Sequence, residues 1–157
     1  METENNFTSK TLKLTPCFSD YNELFLPFFT GLKAGFPSPA ADFIDLDIDL
    51  IKELVKNPSS TFLGKVKGDS MEDAGIGDGD ILIIDKSLEF ENNCIAVAYI
   101  NGDFTIKRII KEKNALWLVP ANEKYSSVKI AVNDEFAIWG IVVKIIKDVK
   151  NVRTRRL

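Results

Sequence analysis

From Thr61 onward, apolar and polar residues alternate in short runs parted by turn residues, the period-two pattern of strands with one face against a core. The runs fall at residues 61–67, 80–85, 94–100, 104–110, 116–120 and 136–146. Asn101-Gly102 separates two of them. A tight hairpin turn of that kind needs positive φ at both central residues, which Asn and Gly tolerate best. Just upstream, Ile44, Leu46, Ile48 and Leu50 alternate, after which Leu50, Ile51, Leu54 and Val55 take a helical spacing. Asp49 is placed to cap a helix of about two turns, and Asn57-Pro58 to stop it. The pattern predicts a compact, mostly β antiparallel domain over 43–149, with one short helix. No internal repeat is visible.

Residues 1–42 lack this regularity. They begin polar, gather five aromatics (Phe18, Tyr21, Phe25, Phe28 and Phe29), and are then broken by Pro37 and Pro39. Such a stretch reads as an extended N-terminal arm, and its aromatics argue that it docks rather than floats. Residues 150–157 form a basic C-terminal tail. The basic cluster that leads into it, Lys144, Lys147, Lys150, Arg153, Arg155 and Arg156, reads as a solvated tail ahead of a nucleic-acid contact. A net charge of −3 gives no general attraction to phosphate.

Composition removes several chemistries. The chain has no histidine, so neither Ser-His-Asp nor Cys-His catalysis is available within it. Nucleophilic chemistry would have to take its proton with a lysine, a carboxylate or a terminal amine. Cys17 and Cys94 lie far apart without a CxxC, which argues against a disulfide framework and a zinc site. No apolar run has the length of a membrane span and no signal pattern opens the chain, so a cytoplasmic protein is expected. No cofactor is expected either.

Between two predicted strands lies Gly68-Asp69-Ser70-Met71-Glu72-Asp73-Ala74-Gly75-Ile76-Gly77-Asp78-Gly79-Asp80, with four glycines and four aspartates. A calcium loop aligned on Asp69 would put Met71 at a ligand position and Ala74 where glycine is needed. The stretch also lacks the Gly-Lys-Ser/Thr ending of a phosphate loop. Ser70 follows a strand and precedes the glycines, where a serine can stand at a sharp turn beside uncommitted N–H groups. Taken alone it reads equally as a turn or capping serine, one of nine serines in the chain. In the run from Phe104 to Ile109, Lys107 shares a face with Thr105 and Ile109, while Arg108 points the other way with Phe104 and Ile106. Parity does not say which face is buried. A surface lysine would snorkel, whereas a buried one would lose its charge and become a usable base, which arginine cannot do.

Three segments together resemble the LexA/UmuD family of self-cleaving serine–lysine proteases, peptidase family S24. They are Gly68-Asp69-Ser70-Met71, the Gly-Asp-Gly-Asp ahead of Ile81-Leu82-Ile83-Ile84-Asp85, and Gly102-Asp103-Phe104-Thr105-Ile106-Lys107-Arg108. Ala34-Gly35-Phe36-Pro37-Ser38-Pro39-Ala40-Ala41-Asp42 looks like the family's cleavage region, and the likeness runs from about Gly31 to Val149. It implies the family's compact β-fold, Ser70 as nucleophile, Lys107 as general base, and cleavage of the chain's own Ala34–Gly35 bond. Small residues at that bond suit a narrow site, and Pro37 and Pro39 keep the segment extended. Alternatively, Ser38-Pro39 begins a helix.

Only 34 residues precede Gly35, too few for the helix-turn-helix domain of LexA-type repressors, so the resemblance is to the UmuD-type members. It implies a homodimer that cuts itself when a RecA filament on single-stranded DNA promotes the reaction. The trimmed form then serves a Y-family translesion DNA polymerase (UmuC-like) in SOS mutagenesis. The longer arm, alanine before the scissile bond and the C-terminal tail depart from the familiar UmuD pattern. Two other readings are a non-catalytic β-domain that only binds a polymerase or RecA, and a signal-peptidase-like enzyme. The missing membrane anchor counts against the latter.

Overall fold

The structure, a computed structural model, describes Leu12–Pro16, Phe25–Phe29 and residues 45–151. Ala34 and Gly35, Cys17, and the arginines of the tail lie outside the described residues. The fold is mostly antiparallel β, as the hydrophobic pattern predicts. Among the described residues ten strands follow in chain order: β1 (Leu12–Pro16), β2 (Phe25–Phe29), β3 (Asp45–Asp49), β4 (Thr61–Val66), β5 (Ile81–Asp85), β6 (Ile95–Ile100), β7 (Asp103–Glu112), β8 (Ala115–Val119), β9 (Val128–Lys129) and β10 (Phe136–Ile146). Eight of them make one sheet in the order β1-β4-β5-β10-β6-β7-β8-β9, and β2 pairs with β3 in a second.

All six runs read as strands from Thr61 onward are strands here, with ends shifted by no more than about two residues. Helix α1 (Leu50–Leu54) follows β3, and the Asp49 carboxylate caps it by accepting from the N–H groups of Ile51 and Lys52. At the β6–β7 hairpin Asn101 and Gly102 have φ of 48° and 97°, the two positive values the turn requires. The stretch read as an arm contains two strands. β1 pairs antiparallel with β4, so residues 12–16 extend the main sheet. β2 contains Pro27, which a two-stranded edge tolerates because a missing N–H costs little there.

The last strand is the central one. β10 pairs with β5 on one side and β6 on the other, shifting register between Val142 and Lys144 and again between Ile138 and Gly140. Such bulges bend a strand and sharpen its twist, which lets one strand serve two differently aimed halves. Gly140 sits where β10 crowds β5; a Cβ there would come within 2.7 Å of the Ile84 side chain.

Both faces of the sheet carry apolar cores. Val66, Met71, Ile76, Leu82, Ile84, Val97 and Ile106 form one cluster, and Ala96, Ala98, Ile109 and Leu118 the other. Neighbours along β6 and β7 thus fall alternately into the two clusters, the expected result of period two in a sheet buried on both sides. Asp85 is buried at the end of β5 and accepts from Asn57 Nδ2, Ser60 Oγ, and both the N–H and the hydroxyl of Ser87, all at 2.7–2.9 Å. That set joins the α1–β4 connection to the β5 end.

Candidate active site

Residues 67–80 leave β4 and return into β5 as a loop closed at its base. Val66 N–H donates to Asp80 O at 2.8 Å and Gly79 N–H to Val66 O at 2.9 Å. Two buried apolar side chains, Met71 and Ile76, root the loop in the first core cluster. Gly68 takes φ +101°, a conformation that side chains with a Cβ rarely adopt, and its N–H donates to Asp78 Oδ1 at 2.7 Å. The buried Asp80 carboxylate accepts from Gly77 N–H at 2.7 Å and pairs with Lys147 beyond β10. The glycines and aspartates that mark this stretch as a loop are thus the groups that fix its shape.

The loop holds Ser70 half-buried, facing β7. Lys107 Nζ lies 2.9 Å from Ser70 Oγ, 2.9 Å from Thr105 Oγ1 and 2.9 Å from the Ile106 carbonyl. Two residues separated by 37 positions in the chain therefore meet at hydrogen-bond distance. β7 resolves the question of parity by burying both faces: Ile106 and Ile109 are in opposite clusters. Lys107 bends onto the loop, while Arg108 donates to Asn93 O and Oδ1 at 3.0 and 3.3 Å. Burial lowers the Lys107 pKa below the usual lysine range. Among the described residues no carboxylate forms an ion pair with it.

A second segment grips the loop from behind. Residues 120–125, following β8, supply Ala121 N–H to Ser70 O at 2.9 Å, Ala121 O to Asp73 N–H at 2.8 Å, and Asn122 Nδ2 to Asp69 O at 2.9 Å. The Tyr125 hydroxyl and Lys124 Nζ both reach the Asp69 carboxylate. The hydrogen bond from Tyr125 is the largest of the influences that hold the Asp69 pKa low, and the same bond raises the pKa of Tyr125. Sequence reasoning overlooked Asn122, Lys124 and Tyr125. Its one available signal was the turn composition after Pro120, which says nothing of a partner more than 50 positions away.

A small apolar pocket adjoins Ser70, lined by Val66, Gly68, Met71, Ile76 and Ile106 among others. No helix among the described residues is long and apolar enough to cross a membrane. The arrangement sets a hydroxyl against a desolvated amine, beside a small apolar recess.

The family described as Peptidase S24-like matches residues 27–143. The chain belongs to this family. It is 38% identical over 119 residues to protein MucA of Salmonella typhimurium, covering 74% of this chain and 81% of that one. Identity to protein ImpA of the same organism is 31% over 127 residues, covering 80% and 86% of the two chains. The LexA repressor of Bordetella avium is 35% identical over 133 residues, 85% of this chain. The chain spans 62% of that repressor's length.

Proposed function

We propose that the chain is a self-cleaving serine endopeptidase in which Ser70 attacks the Ala34 carbonyl and Lys107 serves as general base. The observation that carries this reading is the 2.9 Å approach of Lys107 Nζ to Ser70 Oγ, made by a lysine whose pKa burial lowers and which no carboxylate among the described residues pairs. A neutral amine has two hydrogens and one lone pair. Thr105 Oγ1 and the Ile106 carbonyl are acceptors for the two hydrogens, so the lone pair is left for the Ser70 hydroxyl. Lys107 takes that proton as Oγ bonds to the Ala34 carbonyl carbon. The tetrahedral intermediate then expels the Gly35 amine, which receives the proton from Lys107. Lys107 Nζ then takes a proton from a water whose oxygen bonds to the acyl carbon, and returns it to Ser70 Oγ as the ester bond breaks and the Ala34 carboxyl leaves. The apolar recess beside Ser70 suits a side chain as small as that of Ala34.

The relatives extend the proposal. Likeness to MucA, ImpA and a LexA repressor supports a role in the SOS response to DNA damage. In this reading the chain is a UmuD-like homodimer whose cutting is promoted by RecA on single-stranded DNA. The trimmed form acts as accessory subunit of a Y-family polymerase. The test is the intact mass of the purified chain over time, with and without RecA filaments, alongside Ser70→Ala and Lys107→Ala. Fragments ending at Ala34 and starting at Gly35, absent from both variants, are expected. A chain that stays whole beside active RecA would refute the protease and leave a non-catalytic binding module.

A further inference from the structure

We infer that Asn122 is a positioning residue that builds the oxyanion site by holding two consecutive peptide groups of the nucleophile loop from behind. The inference rests on the reading of Ser70 as the nucleophile. In a planar trans peptide the N–H points opposite to the C=O, and no described peptide bond is cis. The unit that carries the Ser70 N–H has as its carbonyl that of Asp69, which accepts from Asn122 Nδ2 at 2.9 Å and, within the loop, from Glu72 N–H at 3.1 Å. The next unit carries the Met71 N–H, and its carbonyl, that of Ser70, accepts from Ala121 N–H at 2.9 Å. Residues 121 and 122 thus capture two successive carbonyls. Both N–H groups face away from that grip, and among the described residues neither donates a hydrogen bond.

Two adjacent uncommitted donors beside a nucleophile are what a developing alkoxide requires, and backbone N–H groups left unpaired in a folded chain are uncommon. Asn122 cannot turn its amide round. Its Oδ1 accepts from Lys124 N–H at 3.0 Å, which leaves Nδ2 toward Asp69, where it also meets the Asp69 carboxylate at 3.4 Å. The Tyr125 hydroxyl on that carboxylate holds the same segment against the loop. The asparagine is needed there as a donor in one direction and an acceptor in the other.

The two functions separate by substitution. Asn122→Asp keeps the shape and the acceptor for Lys124 N–H, and so the turn, but offers no donor to the Asp69 carbonyl, which is left with the Glu72 N–H alone. Asn122→Ala removes both groups without adding charge. First-order self-cleavage of the full chain, measured from about pH 6 to 10, is expected to slow by about 10- to 100-fold in both variants. That is less than the loss of an oxyanion donor outright, because the Ser70 N–H remains and loses only its aim. In Asn122→Ala the pH midpoint of cleavage should stay at the wild-type value, since Lys107 is untouched.

Wild-type rates in Asn122→Asp would reduce the residue to a turn former and overturn the inference. A shifted midpoint in Asn122→Ala that accounts for its slowing would overturn it as well, by routing the effect through Lys107. Should thermal melting show Asn122→Asp unfolded, Asn122→Ala decides: a wild-type rate there refutes positioning. Ser70→Ala and Lys107→Ala run beside these. If the wild-type chain is not cut through Ser70, the dyad reading fails and this inference fails with it. If it is cut and the Asn122 variants are unaffected, only the positioning role fails.

Discussion

Lys107 allows the sharpest test, because under the proposed mechanism its charge state governs both rate and stability and the two readouts must agree. An unperturbed lysine with a pKa near 10.4 is neutral in only about one molecule in two thousand at pH 7. Burial without a counter-charge lowers the pKa of Lys107. Each unit of lowering multiplies the neutral fraction about tenfold and corresponds to about 1.4 kcal/mol. Below the folded pKa, log rate of self-cleavage should therefore rise with unit slope against pH, and it should level off above. Lys107→Arg, which holds its charge, should lose more than about a hundredfold at every pH.

The stability arm has a fixed sign. A folded pKa below the unfolded one means the unfolded chain binds more protons between the two values, so stability rises with pH across that window. Below the folded pKa the lysine imposes a constant penalty, about 1.4 kcal/mol per unit of lowering. Lys107→Met escapes that penalty, so its advantage over the parent must shrink as pH rises toward about 10.4. Urea unfolding of both chains on a Ser70→Ala background, where no cutting interferes, measures this. A flat rate profile through neutral and alkaline pH, together with a pH-independent stability difference, would refute the neutral amine.

Three further outcomes are expected. Gly140→Ala pushes a Cβ to 2.7 Å from the Ile84 side chain and 3.4 Å from the Asp85 carbonyl, which should cost about 1–3 kcal/mol in urea unfolding. The Asp85 pKa is raised by burial, but hydrogen bonds from Asn57, Ser87 and Ser60 outweigh this and leave it low. Its stabilisation is thus present above the unfolded pKa of about 3.9 and lost as pH falls through the lower folded value. Asp85→Asn should accordingly flatten the acid limb of a stability profile. Tyr125→Phe removes the hydroxyl from the Asp69 carboxylate and should slow self-cleavage about 3- to 10-fold, with a melting midpoint within about 2 °C of the parent because the bond is exposed.

What the sequence disclosed, and what it hid, divides along the range of the interactions involved. Alternation sufficed for the six strands after Thr61, and short-range capping and turn rules placed α1 and the Asn101-Gly102 hairpin. β9 is only two exposed residues and has no period to detect. The aromatics and Pro27 of β2 mask any alternation there, β1 offers only Leu12 and Leu14 as an alternating pair, and the pairing of β1 with β4 and of β2 with β3 is decided by tertiary contact. Ser70 and Lys107 were legible because each sits in a motif, yet parity alone left Lys107 undecided between snorkelling and burial. Their approach needs a sheet covered on both sides, a property of the assembled fold. The grip of Ala121 and Asn122 was invisible for the same reason: nothing local to residues 120–125 announces a partner at 69–73.

The position of β10 carries a consequence for timing. Ser70 stands on the half of the sheet built by β4 and β5, Lys107 on the half built by β6, β7 and β8, and the strand hydrogen-bonded to both halves is residues 136–146, which follow both in the chain. A polypeptide emerging from the ribosome will hold Ser70 and Lys107 for some 30 residues of synthesis before the strand that aligns them exists. Chemistry that depends on their contact is in this way postponed until β10 has emerged. If the proposed dyad cuts the chain, the order of strands is a safety catch against premature cutting of the nascent polypeptide.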